Sequence, residues 1–163
     1  MLRPAQLYIH ELQQLSFETF YRPEYVYIHH GVGEFITKCE DNNFAYHQFV
    51  SIDKDNKVIG YIAYEPNWIS KSACCWKIIS YDIGNLLFAK DIYQAVCDCF
   101  EKFNFNRIEF MCYADNPAIR GYRNFIKKYG GRECGYFRQD TVLKDGKLHD
   151  TVAFEIMADE FRK

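Results

Sequence analysis

The chain has 163 residues, 48% of them hydrophobic and 18% aromatic, with a net charge of -2. That size suits one globular domain over residues 1–163, and the near-neutral charge supplies no basic excess for gripping nucleic acid. No apolar run approaches the roughly 20 residues of a membrane span, and MLRPAQLYIH lacks the layout of a secretion signal, so a cytoplasmic protein without membrane or nucleic-acid partners is expected.

Residues 4–20 carry Ile9, Leu12 and Leu15 at helical spacing, and Pro23 interrupts the pattern. Residues 24–43 are irregular, with a short helix expected over 33–39. Residues 44–52, 58–64 and 72–82 read as three strands of an antiparallel meander, the first two joined by Asp53-Lys54-Asp55-Asn56-Lys57. Residues 84–90 read as a short apolar loop. Asp91 then opens a helix whose Ile92, Val96, Cys99, Phe100 and Phe103 form an apolar stripe, closed by Asn104. In 107–113, Ile108, Phe110 and Cys112 alternate with Arg107, Glu109 and Met111, as in a strand with two distinct faces.

The clearest punctuation lies in residues 116–156. Asn116 can cap a helix, Pro117 suits its first position, and Ile119, Tyr122, Ile126 and Tyr129 share one face. Gly130 and Gly131 stop it. Two β runs follow, joined through Lys144-Asp145-Gly146-Lys147, where Asp-Gly signals a hairpin. Arg138 and Asp150 can pair across that hairpin.

Seven cysteines (Cys39, Cys74, Cys75, Cys97, Cys99, Cys112 and Cys134) include no CxxC pair. Zinc sites use other spacings and a reducing cytosol disfavours disulfides, so small buried thiols are expected and no metal site. A thiol-based redox protein is a third function class, resting on the cysteine count alone.

The element order, with Asn56-Lys57-Val58-Ile59-Gly60-Tyr61-Ile62, Asn106-Arg107-Ile108-Glu109, Asp115-Asn116-Pro117-Ala118-Ile119-Arg120-Gly121-Tyr122, and Arg138 through Asp145-Gly146-Lys147-Leu148-His149-Asp150, resembles the GNAT superfamily of N-acetyltransferases. Over about residues 44–161 the likeness is greatest to the type that acetylates ribosomal-protein N-termini, or to its small-amine-acetylating relatives. The resemblance implies an α/β (α+β) fold with a mixed, mostly antiparallel sheet of about six to seven strands flanked by helices. It implies acetyl-CoA as cofactor and an amine acceptor, a small molecule or a peptide N-terminus, in a monomer or homodimer. Residues 1–43 would form the acceptor side and 44–163 the core sheet and cofactor region.

By the same resemblance, strands 72–82 and 107–113 splay to admit the pantetheine arm. The loop from Gly84 to Asp91 would meet the pyrophosphate, with Tyr81, Ile83, Gly84, Leu86, Leu87, Phe88, Ala89 and Lys90 binding the cofactor; Asn116 would contact the pantetheine arm, and Tyr122 would be the general acid. Asp82 or Glu109 are the carboxylates considered for the base. His29 and His30, with Tyr21, Tyr25 and Tyr27, could line an amine pocket, and Lys127 and Lys128 could meet the 3′-phosphate. Two departures stand out. The loop has no glycine after Gly84, and Asp91 at the helix start would repel a phosphate it faced. Tyr122 follows Asn116 by six residues where the family usually shows seven, which turns it about 100° and offers Arg123 to the slot instead. A non-catalytic module keeping this fold with a degenerate cofactor loop is the alternative.

Overall fold

The computed structural model describes residues 1–28, 39 and 44–162. Strand β1 (Leu2–Pro4) leads through a 3₁₀ turn, Ala5–Tyr8, into helix α1 (Ile9–Phe20). Strands β2 (His47–Ile52), β3 (Val58–Asn67) and β4 (Ser72–Ser80) form the expected antiparallel meander. Helix α2 (Leu86–Glu101), strand β5 (Arg107–Tyr113), helix α3 (Ile119–Tyr129) and the hairpin of β6 (Arg132–Val142) and β7 (Leu148–Met157) complete the chain. The seven strands lie in the order β1-β2-β3-β4-β5-β7-β6. Among the described strands only β4 and β5 run parallel, because α2 crosses over between them. The helix expected over 33–39 lies outside the described residues.

Side-chain alternation along the strands feeds two cores. Tyr61 and Ala63 of β3 pack with Val50, Ile79 and Leu12 under α1. Their neighbours Ile62 and Tyr64 face α2, with Val96, Cys99, Ile108 and Phe88. On that second face α3 sets Ile119 and Ile126 against Cys112, Val152, Phe154 and Ile156. Each fully buried aliphatic side chain contributes roughly 1.5–3 kcal/mol to the cores.

Three local expectations are corrected. Pro4 pairs with β2 at the end of an edge strand, Leu2–Pro4, rather than beginning the helix. Helix α2 starts at Leu86, five residues before Asp91, because the Asn85 side chain caps it by accepting from the Leu87 N–H at 2.8 Å. Helix α3 starts at Ile119, since Asn116 spends its side chain on the turn before it, accepting from the Ala118 N–H at 2.9 Å. The hairpin forms at the expected residues, with Gly146 at φ +75° and its N–H donating to the Leu143 carbonyl at 2.9 Å. Arg138 and Asp150 form no ion pair. Asp150 instead accepts from the Tyr136 hydroxyl and the Gln139 N–H.

A slot through the sheet as the candidate active site

Strands β4 and β5 pair only at Ser72 with Arg107 and Ala73 with Ile108. Beyond those two pairs they diverge, and a cavity of about 360 Å³ opens between residues 76–79 and 111–113. Because successive side chains point to opposite faces, the slot passes through the sheet. Trp76, Ile78, Cys112 and Tyr122 wall the side that carries α2 and α3. Lys77, Ile79, Met111 and Tyr113 wall the side that carries α1, joined by Tyr27, Ile28, Asp140, Thr141 and Thr151. A thioester-bearing arm can enter from one face and a nucleophile from the other.

On the helix side, Tyr122 belongs to both the core and the slot. Its ring lies 5.4 Å from Phe110 and 6.3 Å from Phe154. Burial, helped by the Cys112 thiol, raises its phenol pKa, so the hydroxyl keeps its proton at neutral pH. Among the described residues nothing hydrogen-bonds that hydroxyl. Asn116 also lines the slot, its side-chain oxygen held by the Ala118 N–H and its amide nitrogen without a partner among the described residues. Arg123 is directed elsewhere, donating to Glu133 on β6 at 2.7 Å. The six-residue spacing therefore leaves Tyr122, not Arg123, at the slot.

The loop after β4 differs from its expected form in a way that favours the site. Phe88 is 4% exposed and turned inward, its ring filling the space above Gly60, where a Cβ would come within 2.2 Å of it. Asp91 also points inward, accepting from the Ser51 hydroxyl at 2.6 Å and pairing with the Met1 amino group at 2.7 Å. It does not oppose a phosphate at the helix start. The Leu86 and Phe88 N–H groups, in the first turn of a 16-residue helix, have no partner among the described residues. With the helix dipole they form an anion-accepting end. Gly84 takes φ +88° ahead of it, and a Cβ there would meet nothing within 4 Å. Ile83, Leu86, Ala89 and Lys90 are exposed around it. Tyr81 instead packs against the α1 core, its N–H bonded to the Ile59 carbonyl at 2.9 Å.

Neither carboxylate considered for the base lines the slot. Asp82 is exposed and accepts from the Asn85 amide at 2.7 Å, bracing the α2 cap. Glu109 meets Arg107 at 3.4 Å, near the paired end of β5. Lys127 and Lys128 occupy the last turn of α3, at the far end of the helix from the slot. Arg120, in its first turn, stands at the slot end and makes no ion pair among the described residues.

The opposite wall carries what the sequence did not reveal. The Thr151 hydroxyl is buried without a partner among the described residues, an arrangement that costs about 1–3 kcal/mol when nothing fills it. Tyr27 lines the slot and donates to the Asp115 carbonyl at 3.1 Å, whereas Tyr25 is buried in the α1 core and Tyr21 is exposed. Burial and the carboxylates of Asp115 and Asp145 raise the Tyr27 phenol. Burial raises Tyr113 too; a hydrogen bond from Thr141 opposes the rise and Asp140 adds to it. His149 is held between Asp115 at 2.8 Å and Asp145 at 3.2 Å, close beneath Tyr27 and Tyr113. Asp115, Asp140 and Asp145 bring negative charge to this wall, with Lys77 as the cation that lines it. His29 and His30 lie outside the described residues. Cys112 is the slot's one thiol among the described residues, and burial pushes it up to about 12, which keeps it protonated and unreactive.

No family model matches this chain, and no curated protein matches it in sequence. Among solved structures it is similar to spermidine N-acetyltransferase from Vibrio cholerae in complex with CoA and spermine, at 20% identity and TM-score 0.78 over 98% of this chain and 96% of that one. A chimera involving the Vibrio cholerae enzyme aligns at 21% identity and TM-score 0.73, over 98% and 95% of the two chains. A dodecameric structure of the Vibrio cholerae enzyme aligns at 25% identity and TM-score 0.63, over 73% and 67%. These neighbours give no support to the ribosomal-protein N-terminal subtype suggested by the sequence. Strand order, the splayed parallel pair and the structural likeness together establish a GNAT-like fold, a seven-stranded mixed sheet flanked by three helices.

Proposed function

We propose that this chain is an acetyl-CoA-dependent N-acetyltransferase that moves an acetyl group to a primary amine by direct attack in a ternary complex. The slot between β4 and β5, open to both faces of the sheet, is the observation that carries this reading. Its residues suit the cofactor: apolar walls at Trp76 and Ile78, strand edges released from pairing, and the bare N–H groups of α2 for the pyrophosphate. Acetyl-CoA supplies a thioester whose C–S bond breaks as the new C–N bond forms, with the amine losing one proton and the sulfur gaining one. Tyr122 holds the donated proton at its hydroxyl, which burial keeps protonated. Asp140 is the carboxylate lining the acceptor side and can receive the amine's proton directly or through water. Holding the amine about 3 Å from the carbonyl carbon supplies much of the remaining acceleration.

The acceptor we favour is a small polyamine. The negative field around Tyr27, Tyr113 and Asp140 attracts a multiply charged cation, and spermidine and spermine are named for the neighbours. The second reading, a binding module with this fold that has lost catalysis, rests only on the absence of glycine after Gly84 in residues 84–91.

The test is thiol release from acetyl-CoA against a panel of spermidine, spermine, a monoamine and a peptide with a free N-terminus, with calorimetric titration of CoA alongside. Release with polyamines supports the proposal. Release with the peptide alone keeps the enzyme and replaces the acceptor. No release with any amine, while CoA binds or fails to bind, sinks the enzymatic reading.

A further inference from the structure

Adjacent residues of a regular strand face opposite sides of the sheet, so the sequence puts Cys74 and Cys75 on opposite faces. The structure does not. Between Ala63 and Glu65 of β3 the register with β4 shifts by a bulge, and Cys75 takes φ +54°, a conformation that side-chain-bearing residues rarely adopt. The rotation brings both thiols to the same place. Both Sγ atoms and a carboxylate oxygen of Glu65 lie within 4.8 Å of one another. Glu65 is directly opposite Cys74 in the ladder, and the Cys74 thiol reaches the Glu65 carbonyl at 3.4 Å.

We infer that Glu65, Cys74 and Cys75 form a three-ligand site for a thiophilic divalent cation of the zinc class, on the β3–β4 ladder and apart from the slot. Two sulfurs and one carboxylate match zinc's tetrahedral preferences and exclude magnesium or calcium, which demand oxygen shells. Zinc bonds of about 2.3 Å to sulfur and 2.0–2.2 Å to oxygen set ligand atoms roughly 3.5–3.8 Å apart. Rotamer adjustment of about an ångström closes the observed triad to that geometry. Cys75 is exposed and Cys74 and Glu65 half-buried, so the fourth position opens to water and the ion has an entry path. Glu109 and Arg107 on β5 are the charged neighbours of Cys74, of opposite sign. Thiols are mostly protonated at neutral pH, so the metal-free site carries protons that an incoming ion displaces. The bound ion would clip β3 to β4 at the bulge, which the sheet's own hydrogen bonds leave irregular.

Cobalt(II) titrated into the fully reduced protein, with zinc as competitor, tests the inference. The expected result is one equivalent bound with thiolate-to-cobalt charge-transfer absorption and a tetrahedral visible band, bleached by one equivalent of zinc. Both bands vanish in Cys74→Ser and Cys75→Ser, weaken at least several-fold in Glu65→Gln and persist in Cys134→Ser, with far-UV circular dichroism unchanged throughout. Proton release on binding, nearing two per ion at neutral pH, is the second readout. Absent charge-transfer bands in the wild-type protein overturn the inference, as do bands surviving the Cys74→Ser/Cys75→Ser double variant. A protein whose reduced form binds no cobalt, and whose aerated form is two hydrogens lighter through a Cys74–Cys75 disulfide, equally overturns it.

Discussion

Strand β5 has two neighbours and treats them differently. With β7 it pairs at all seven residues, Arg107 through Tyr113, and the ladder is covered on one face by α3. With β4 it pairs at two and then parts company. The first edge is structural: its ladder is continuous, and side chains such as Phe110, stacked on Phe154 at 5.0 Å, are locked. The second edge leaves backbone groups and a cavity for a ligand to complete, and the Thr151 hydroxyl, on β7 opposite Tyr113, borders that cavity. Chemistry belongs at the unpaired edge, and the substitutions below separate function there from packing elsewhere.

The largest effect is expected at Tyr122, where the two edges meet. Tyr122→Phe keeps the ring against Phe110 and Phe154 and removes only the hydroxyl. It should lower kcat by about 10²-fold or more while leaving the urea midpoint and CoA affinity nearly unchanged. An unaltered kcat would assign Tyr122 wholly to the core. Gly60→Ala acts through packing: the added methyl meets the Phe88 ring, and such overpacking costs about 1–3 kcal/mol. Because Phe88 sits in the first turn of α2, the same change should also raise the KM for acetyl-CoA. Loss of stability without a KM change would mean that the start of α2 does not touch the cofactor. Asn85→Ala removes the α2 cap, worth about 1 kcal/mol by urea titration, and should weaken CoA binding by a smaller factor than Gly60→Ala.

Much of the paired edge was legible in the sequence and little of the unpaired one. Local rules announced Gly130 as a helix stop and Asp145-Gly146 as a turn, since each acts through its own backbone. They failed at 86–90, where Leu-Leu-Phe-Ala-Lys read as a loop because Asn85 was not recognised as the cap. The sequence sets Asp91 against a phosphate and Phe88 in the phosphate loop, yet both turn inward to partners, Ser51 and Gly60, that lie far away in sequence. The splay itself was legible only through resemblance to a known superfamily, because it depends on where the β4–β5 register stops. Thr151 and Asp140 reach the slot only through the folding of the last hairpin, and Cys74 and Cys75 converge only through a bulge. Position along the chain encodes none of these.

The smallest expected effect tests whether the acceptor wall is charged as proposed. Burial alone would lower the His149 pKa, but hydrogen bonds to Asp145 and Asp115 outweigh it and raise the pKa above 6.5. A group whose folded pKa exceeds its unfolded value stabilises fully below the unfolded value and loses that contribution as pH rises through the folded one. The stability from His149 should therefore be complete below about pH 6 and decline from about pH 6.5 upward. The same proton partly cancels the charge of Asp115 and Asp145, so as it leaves, the wall becomes more negative. Polyamine KM should then fall across the interval in which unfolding midpoints fall, after correction for ionisation of the amine itself. His149→Gln should flatten both profiles together. If it flattens the stability profile and leaves the KM profile unchanged, the imidazolium holds the β5–β7 end together without tuning the acceptor.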